Sequence, residues 1–161
     1  MNIRDASNSD ASAVRDLVFG ILESYGLCPD PANTDQDLND IEKSYFHSGG
    51  VFAVLEDDGH IIGSYGLWRI SGRECELRKM YLSGAHRGKG LGRALLEHAL
   101  RRAEELGFLE VCLETASVLT EAIALYRKFG FTPYKSEHLS ARCNQAYRKV
   151  LRMVGPESTK F

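Results

Sequence analysis

Arg87-Gly88-Lys89-Gly90-Leu91-Gly92-Arg93 is the stretch on which the reading of this chain turns. It follows an apolar, strand-like run from Leu77 to Leu82 and opens a long amphipathic segment from Leu91 to Leu106. Glycines let the backbone approach a bulky ligand and leave amide N–H groups pointing outward. A helix start adds unpaired amide donors and about half a positive charge. Arg87, Lys89 and Arg93 add full charges. The combination is an anion cradle suited to a phosphate or pyrophosphate. The bland alternative is a glycine-rich turn with no ligand. Against it, glycines at a helix start lose backbone entropy without packing anything.

Spacing decides between phosphate ligands. A P-loop needs Gly, four residues, then Gly-Lys-Ser/Thr. Here Gly84 and Gly88 enclose only three residues, and Gly90 follows the lysine. The dinucleotide fingerprint G-x-G-x-x-G also fails, because Gly88, Gly90 and Gly92 alternate and Arg93 stands where the last glycine belongs. What fits is Arg/Gln-x-x-Gly-x-Gly/Ala, read as Arg87, Gly90 and Gly92. This resembles the pyrophosphate loop of the GNAT acetyltransferase superfamily, which binds coenzyme A. The resemblance implies acetyl-CoA as co-substrate, held by Arg87, Gly88, Lys89, Gly90, Leu91, Gly92 and Arg93, with no metal. It further implies that the backbone of Met80, Tyr81 and Leu82 pairs with the pantetheine arm as an added strand would.

Composition sets the bounds. The chain has 161 residues, which suits one domain with a core of its own. Net charge is −2, from 20 basic and 22 acidic residues, so nothing suggests nucleic-acid binding. Cys28, Cys75, Cys112 and Cys143 are widely spaced, without a C-x-x-C pair, and the five histidines form no ligand spacing. No signal stretch and no membrane-spanning segment is evident, and a cytoplasmic, reduced protein is the default.

Periodicity gives the element order. Met1–Ala6 reads as a strand, and a helix follows with Ala13, Val14, Leu17, Val18 and Ile21 inward. Thr34-x-x-Asp37 resembles a capping box for a second helix, with Leu38, Ile41 and Tyr45 inward. Three antiparallel strands are expected over 51–56, 60–70 and 74–82, with a hairpin turn at Asp58-Gly59. After the glycine loop come a helix to Leu106, a strand over 108–115, a helix over 120–129, and strands over 131–135 and 145–154. The expected fold class is α/β, a single domain over 1–154 in the order β-α-α-β-β-β-α-β-α-β-β. Its central sheet is mixed, mostly antiparallel and flanked by helices. This order resembles the GNAT fold throughout. Residues 155–161 read as a loose polar tail.

Acetyl transfer to an amine needs a proton acceptor, because an amine of lysine type has a pKa of about 10.4. Glu76 is the candidate, since several members of the family carry a catalytic glutamate at this distance before the loop. Period two puts Glu74, Glu76 and Arg78 on one strand face, with Cys75, Leu77, Lys79 and Tyr81 on the other. The competing reading is Glu76 on a solvated face, paired with Arg78 or a neighbouring strand, and Glu74, Glu114 or water are alternatives for the base. The departing thiolate needs a proton, because a thiol has a pKa of about 8.5. Tyr126 is the candidate acid. Ala122-Ile123-Ala124-Leu125-Tyr126-Arg127-Lys128-Phe129-Gly130-Phe131 resembles the family's A-x-x-L-Y-x-x-x-G-F segment. One departure stands out. Many relatives have an asparagine three residues before that alanine, where this chain has Leu119; Thr115, Ser117 or Thr120 are substitutes for its coenzyme contact.

The resulting expectation is an N-acetyltransferase working by direct attack in a ternary complex. No cysteine or serine stands beside a credible activating base. The acceptor is a small-molecule or protein amine, approached past a wall over 21–46, where Tyr25, Asp30, Asp35 and Asp37 could draw a cation. Neither nucleic acid nor membrane is an expected partner. The strand pair from Tyr134 to Ala146 is a candidate homodimer surface. The rival reading is an acyl-CoA sensor without turnover, which would need neither Glu76 nor Tyr126.

Overall fold

A computed structural model describes residues 1–151. Its centre is a seven-stranded sheet made of β1 (Asn2–Asp5), β2 (Val51–Asp57), β3 (His60–Arg69), β4 (Glu74–Leu82), β5 (Glu110–Thr115), β6 (Thr132–Tyr134) and β7 (Gln145–Val150). The spatial order is β1-β2-β3-β4-β5-β7-β6. Only β4 and β5 pair in parallel; every other neighbour is antiparallel. Three helices cover it: α1 (Ala11–Ser24), α2 (Leu91–Glu105) and α3 (Thr120–Lys128). The expected mixed, mostly antiparallel sheet flanked by helices is what forms.

Strand alternation splits the interior into two cores. On β2, Val51, Ala53 and Leu55 join the core packed against α2 and α3. Phe52 and Val54 join the other, with Val14, Val18 and Leu22 of α1. Burying a side chain of this size contributes about 1.5–3 kcal/mol. The buried stripe of α2 is Leu95, Leu96, Ala99, Leu100 and Ala103. Leu106, the expected last residue of the helix, lies just past its end and is exposed. Gly107, in the left-handed region, ends the helix, and the Phe108 N–H donates to the Ala103 carbonyl.

The second helix is the element the sequence misplaces. Residues 34–46 form a 3₁₀ turn, Gln36–Asn39, and one π turn, Glu42–Phe46. The capping groups are used elsewhere. Asp30 accepts from the Thr34 N–H (3.2 Å) and hydroxyl (3.1 Å). Asp35 and Asp37 turn into the protein. Leu38, Ile41 and Tyr45 are nevertheless fully buried, so the apolar spacing held while the backbone did not. Gly66 makes room for that segment: a Cβ there would stand 2.6 Å from the Tyr45 ring.

A second difference lies inside β4. Ser64 pairs with Tyr81, but Gly66 pairs with Arg78, so Tyr65 alone faces both Lys79 and Met80. This is a β-bulge. Lys79 carries it at φ 53, and the buried Ser64 hydroxyl donates to its carbonyl at 2.7 Å. The bulge inverts the strand's alternation. Cys75 and Leu77 face the α2 core before it; Met80 and Leu82 do so after it. Tyr81 therefore packs on the α1 side, not beside Leu77 as strict period two implied. The last strand is described to Val150; its expected extension to Val154 and the tail over 155–161 lie outside the described residues.

Candidate active site

The parallel pairing of β4 and β5 covers only Glu74↔Glu110 to Glu76↔Cys112. Beyond it the strands part, and a cleft of about 710 Å³ opens between them. Glu76, Met80, Tyr81, Leu82, Arg87, Gly88, Gly90, Leu91, Gly92, Arg93 and Tyr126 all line it. Of the residues first assigned to catalysis or to the coenzyme, only Lys89 is off its wall; it is exposed.

At one end is the glycine loop. Gly88 (φ 76) and Gly90 (φ 78) are left-handed, and Gly90 is the N-cap of α2. The turn itself requires those two. Gly92 is the informative one: its φ is ordinary, and an added Cβ would meet nothing closer than a Leu125 methyl at 3.7 Å. Nothing inside the fold demands glycine there, whereas a large ligand against the first turn would. Arg87 donates to the Tyr25 hydroxyl (2.7 Å), with its guanidinium 5.2 Å from that ring. Arg93 pairs with Glu97 at 2.9 Å. A diphosphate would find helix-start amides and two positioned guanidiniums, which fits the group the loop resembles a holder for.

Midway lies Tyr126, brought in by α3. Its ring is 5.7 Å from Phe131 and is almost fully buried. Its hydroxyl has no hydrogen-bond partner among the described residues, and burial raises its pKa further above the ordinary phenol value. Leu119 is the N-cap position of α3 and lines the cleft, as does Thr115. Ser117 is engaged elsewhere: Asn144 bonds its N–H (2.9 Å) and its hydroxyl (3.0 Å).

The far end holds two carboxylates on adjacent strands. Glu76 binds the Arg78 Nε. Glu114 accepts a long bond from the Ser140 N–H (3.4 Å). Burial, and then the nearby charge of Glu76, raise the Glu114 pKa. Glu74 is on the wall of a separate hollow with Ser71 and Leu109, away from these groups.

The acidic residues expected to draw a cation are not free to do so. Asp35 is held by Arg142 through both terminal nitrogens, at 2.7 Å each, and by Lys79 at 3.1 Å. Burial pushes the Asp35 pKa up, but Arg142, the Asp30 N–H and Lys79 outweigh it and hold it below the usual range. Asp37 takes Lys79 at 3.2 Å and the Tyr45 hydroxyl. Two buried anions thus meet two cations, and the cluster ties the 30–37 loop to the bulge and to the 140–143 loop. Arg78 was foreseen only as a partner of Glu76, which it is, and Lys79 and Arg142 were given no role from sequence. A lysine on the apolar face of β4 was the one available signal. Among the described residues no group of three or more His, Cys, Asp or Glu is placed to hold a metal.

Comparison with known proteins identifies the family. Residues 18–131 match the model of the Acetyltransferase (GNAT) family. Over 134 residues the chain is 37% identical to the uncharacterized N-acetyltransferase YjgM of Escherichia coli strain K12, covering 80% of each. Its fold is similar to that of an acetyltransferase of the GNAT family from Staphylococcus aureus Mu50, with a TM-score of 0.87 at 24% identity, over 94% of this chain and 99% of that one. It is also similar to a Sinorhizobium meliloti phosphinothricin acetyltransferase solved in complex with AcCoA, with a TM-score of 0.72 at 23% identity, over 93% and 88%. The chain belongs to the GNAT family of acetyltransferases, and with that to the acetyl-CoA-dependent acyltransferases.

Proposed function

We propose that this protein transfers an acetyl group from acetyl-CoA to an amine by direct attack within the cleft. One observation carries the reading: a single cleft joins the cationic glycine loop, a tyrosine hydroxyl without a partner, and a pair of carboxylates. When bound, acetyl-CoA supplies a thioester whose carbonyl carbon accepts the amine. The chain's residues do the rest. Arg87, Arg93 and the helix-start amides from Leu91 onward hold the diphosphate, with Gly88, Gly90 and Gly92 giving it access. Lys89 adds long-range attraction from the surface. Met80, Tyr81 and Leu82 offer backbone to the pantetheine arm. The register supports this, since neither Lys79 nor Met80 has a paired residue on β3, and β5 has already parted from β4. The Met80 N–H is the proposed donor to the thioester oxygen, and one such donor is worth on the order of 3 kcal/mol in a transition state.

Proton traffic uses the two remaining features. The Glu76–Glu114 pair takes the proton of the attacking amine. Glu76 is the member first indicated by position, and Glu114 is the member whose pKa burial and the charge of Glu76 raise, the direction that strengthens a base. Tyr126 gives its proton to the departing sulfur. A reducing, cytoplasmic setting belongs to the proposal, on the strength of four cysteines spaced apart in the sequence. The open edge strand β6 is the place where a second copy would add.

Acetyl-CoA consumption over a panel of amines, run beside calorimetry with acetyl-CoA, tests the reading. Binding with turnover of at least one amine is expected. Binding with no turnover of any amine would leave a sensor, and absence of binding by folded protein would remove both.

A further inference from the structure

Beyond Tyr126 the cleft is lined by charges whose partners are known. Lys79 is satisfied by Asp35 and Asp37, and Arg142 by Asp35 through both terminal nitrogens. Arg78 differs. Its Nε goes to Glu76, and its guanidinium carbon stands 4.3 Å from the centre of the Trp68 ring. Its two terminal nitrogens have no hydrogen-bond partner among the described residues, and neither is sealed from solvent. The side chain lines the cleft and is 28% exposed. A guanidinium carries five N–H donors in a fixed fork. The bond to Glu76 and the Trp68 ring beside it hold the group in place, and its terminal nitrogens remain open to whatever enters the cleft. That is the preorganised half of a bidentate carboxylate contact.

We infer that Arg78 binds a carboxylate of the acceptor, so that the acceptors are amino acids or amino-acid-like molecules with a free carboxylate close to the reacting amine. The inference rests on the proposed acetyl transfer and names its substrate class. Closeness follows from the site: Arg78 is bonded to Glu76, one of the two groups proposed to face the amine, so cation and anion subsites adjoin. A zwitterion complements such a pair. A bare diamine would displace water from the Arg78 edge and give its free donors no acceptor, which costs binding. A lysine side chain of a protein has no carboxylate within reach.

The test uses matched trios: an amino acid, its carboxamide and its decarboxylated amine, compared by release of coenzyme A from acetyl-CoA. For the free acid, kcat/KM is expected to exceed that of the other two by about 10- to 100-fold, the span of one charge-assisted contact. In Arg78→Gln the acid-to-amide ratio should fall to about one, with KM for acetyl-CoA unchanged, and Arg78→Lys should restore part of the ratio. A merely structural role would lower all three acceptors together and spare the ratio. Equal rates for acid and amide in the unaltered protein would overturn the inference while leaving acetyl transfer standing. So would an acid-to-amide ratio that survives Arg78→Gln, or a loss that falls on acetyl-CoA. Turnover of no acceptor at all, with acetyl-CoA still bound, would overturn acetyl transfer and this inference together. The comparison within the unaltered protein decides the matter even where a variant does not fold.

Discussion

Tyr126 and Glu114 are both pushed toward their protonated forms by burial, yet their proposed roles are opposite. A phenol that stays protonated can give; a carboxyl with a raised pKa receives well only once it is ionised. Tyr126→Phe removes an oxygen that no described residue bonds, so stability should change little. Its kcat should drop by about 10²-fold with acetyl-CoA affinity nearly unchanged, by steady-state kinetics and calorimetry. An unaltered kcat would take the acid role from Tyr126. For Glu114 the sign follows from acting as a base. Activity should rise with pH through its elevated pKa, and Glu114→Gln should abolish that limb of the pH–rate profile. A limb that survives there and disappears in Glu76→Gln would give the role of base to Glu76. At this scale the sequence was readable where chemistry is attached to a motif, as with Tyr126 and the loop glycines. It was unreadable where a partner lies far off in the chain. Nothing near Asp35 reveals Arg142, 107 residues later, and without that pairing both look like solvent-facing charges.

Among elements, the glycine loop and the 34–46 segment make opposite cases. The loop was legible because its residues answer local needs: two left-handed turns, then a helix whose first amides stay open. Gly92→Glu tests the third glycine. The space beside it accepts a Cβ, so the fold should hold, with a melting temperature within a few degrees of the parent. A carboxylate at the helix start would repel the diphosphate, and acetyl-CoA binding by calorimetry should fall below detection. Binding at parental strength would contradict the placement. In the 34–46 segment, helical spacing was present and the helix was not. Asp35 and Asp37 have better partners in Lys79 and Arg142 than the backbone amides a cap would offer, and tertiary charge pairing overrides local propensity. The β4 bulge was hidden for a related reason. It depends on Ser64, a residue of another strand, and on a lysine taking a backbone shape that sequence alone assigns to glycine.

Over the whole molecule, carboxylates paired with arginine set the response to acid. Arg4 holds Asp10 through two contacts of 2.9 Å, which depresses the Asp10 pKa, and Asp35 is likewise depressed in the folded state. A depressed folded pKa gives stability that is fully present above the unfolded value, about 3.9. That stability is lost as pH falls through the lower folded value. The protein should therefore lose stability progressively below about pH 4, and Asp10→Asn should flatten that decline in chemical denaturation run at several pH values. A slope unchanged by the substitution would remove Asp10 from the account. The inward stripes of α2 and, at Val14, Val18 and Ile21, of α1 were legible because each helix buries a face against the sheet; Ala13, expected inward, is exposed, and the division into two cores was not read from the unbroken apolar run of β2.

The extra residue at Lys79 reaches further than its own strand. Straightening the bulge, with Lys79 drawn into the ladder as an ordinary strand residue, would not simply lengthen β4; it would evert everything downstream. Tyr81 would be driven among the α2 leucines, while Met80 and Leu82 would be turned toward the α1 layer. The same shift would carry the loop starting at Ser83 through half a pleat, so its arginines would no longer converge with Tyr126. The left-handed backbone at residue 79 is therefore a constraint on the site in its own right, separate from the ion pairs its side chain makes.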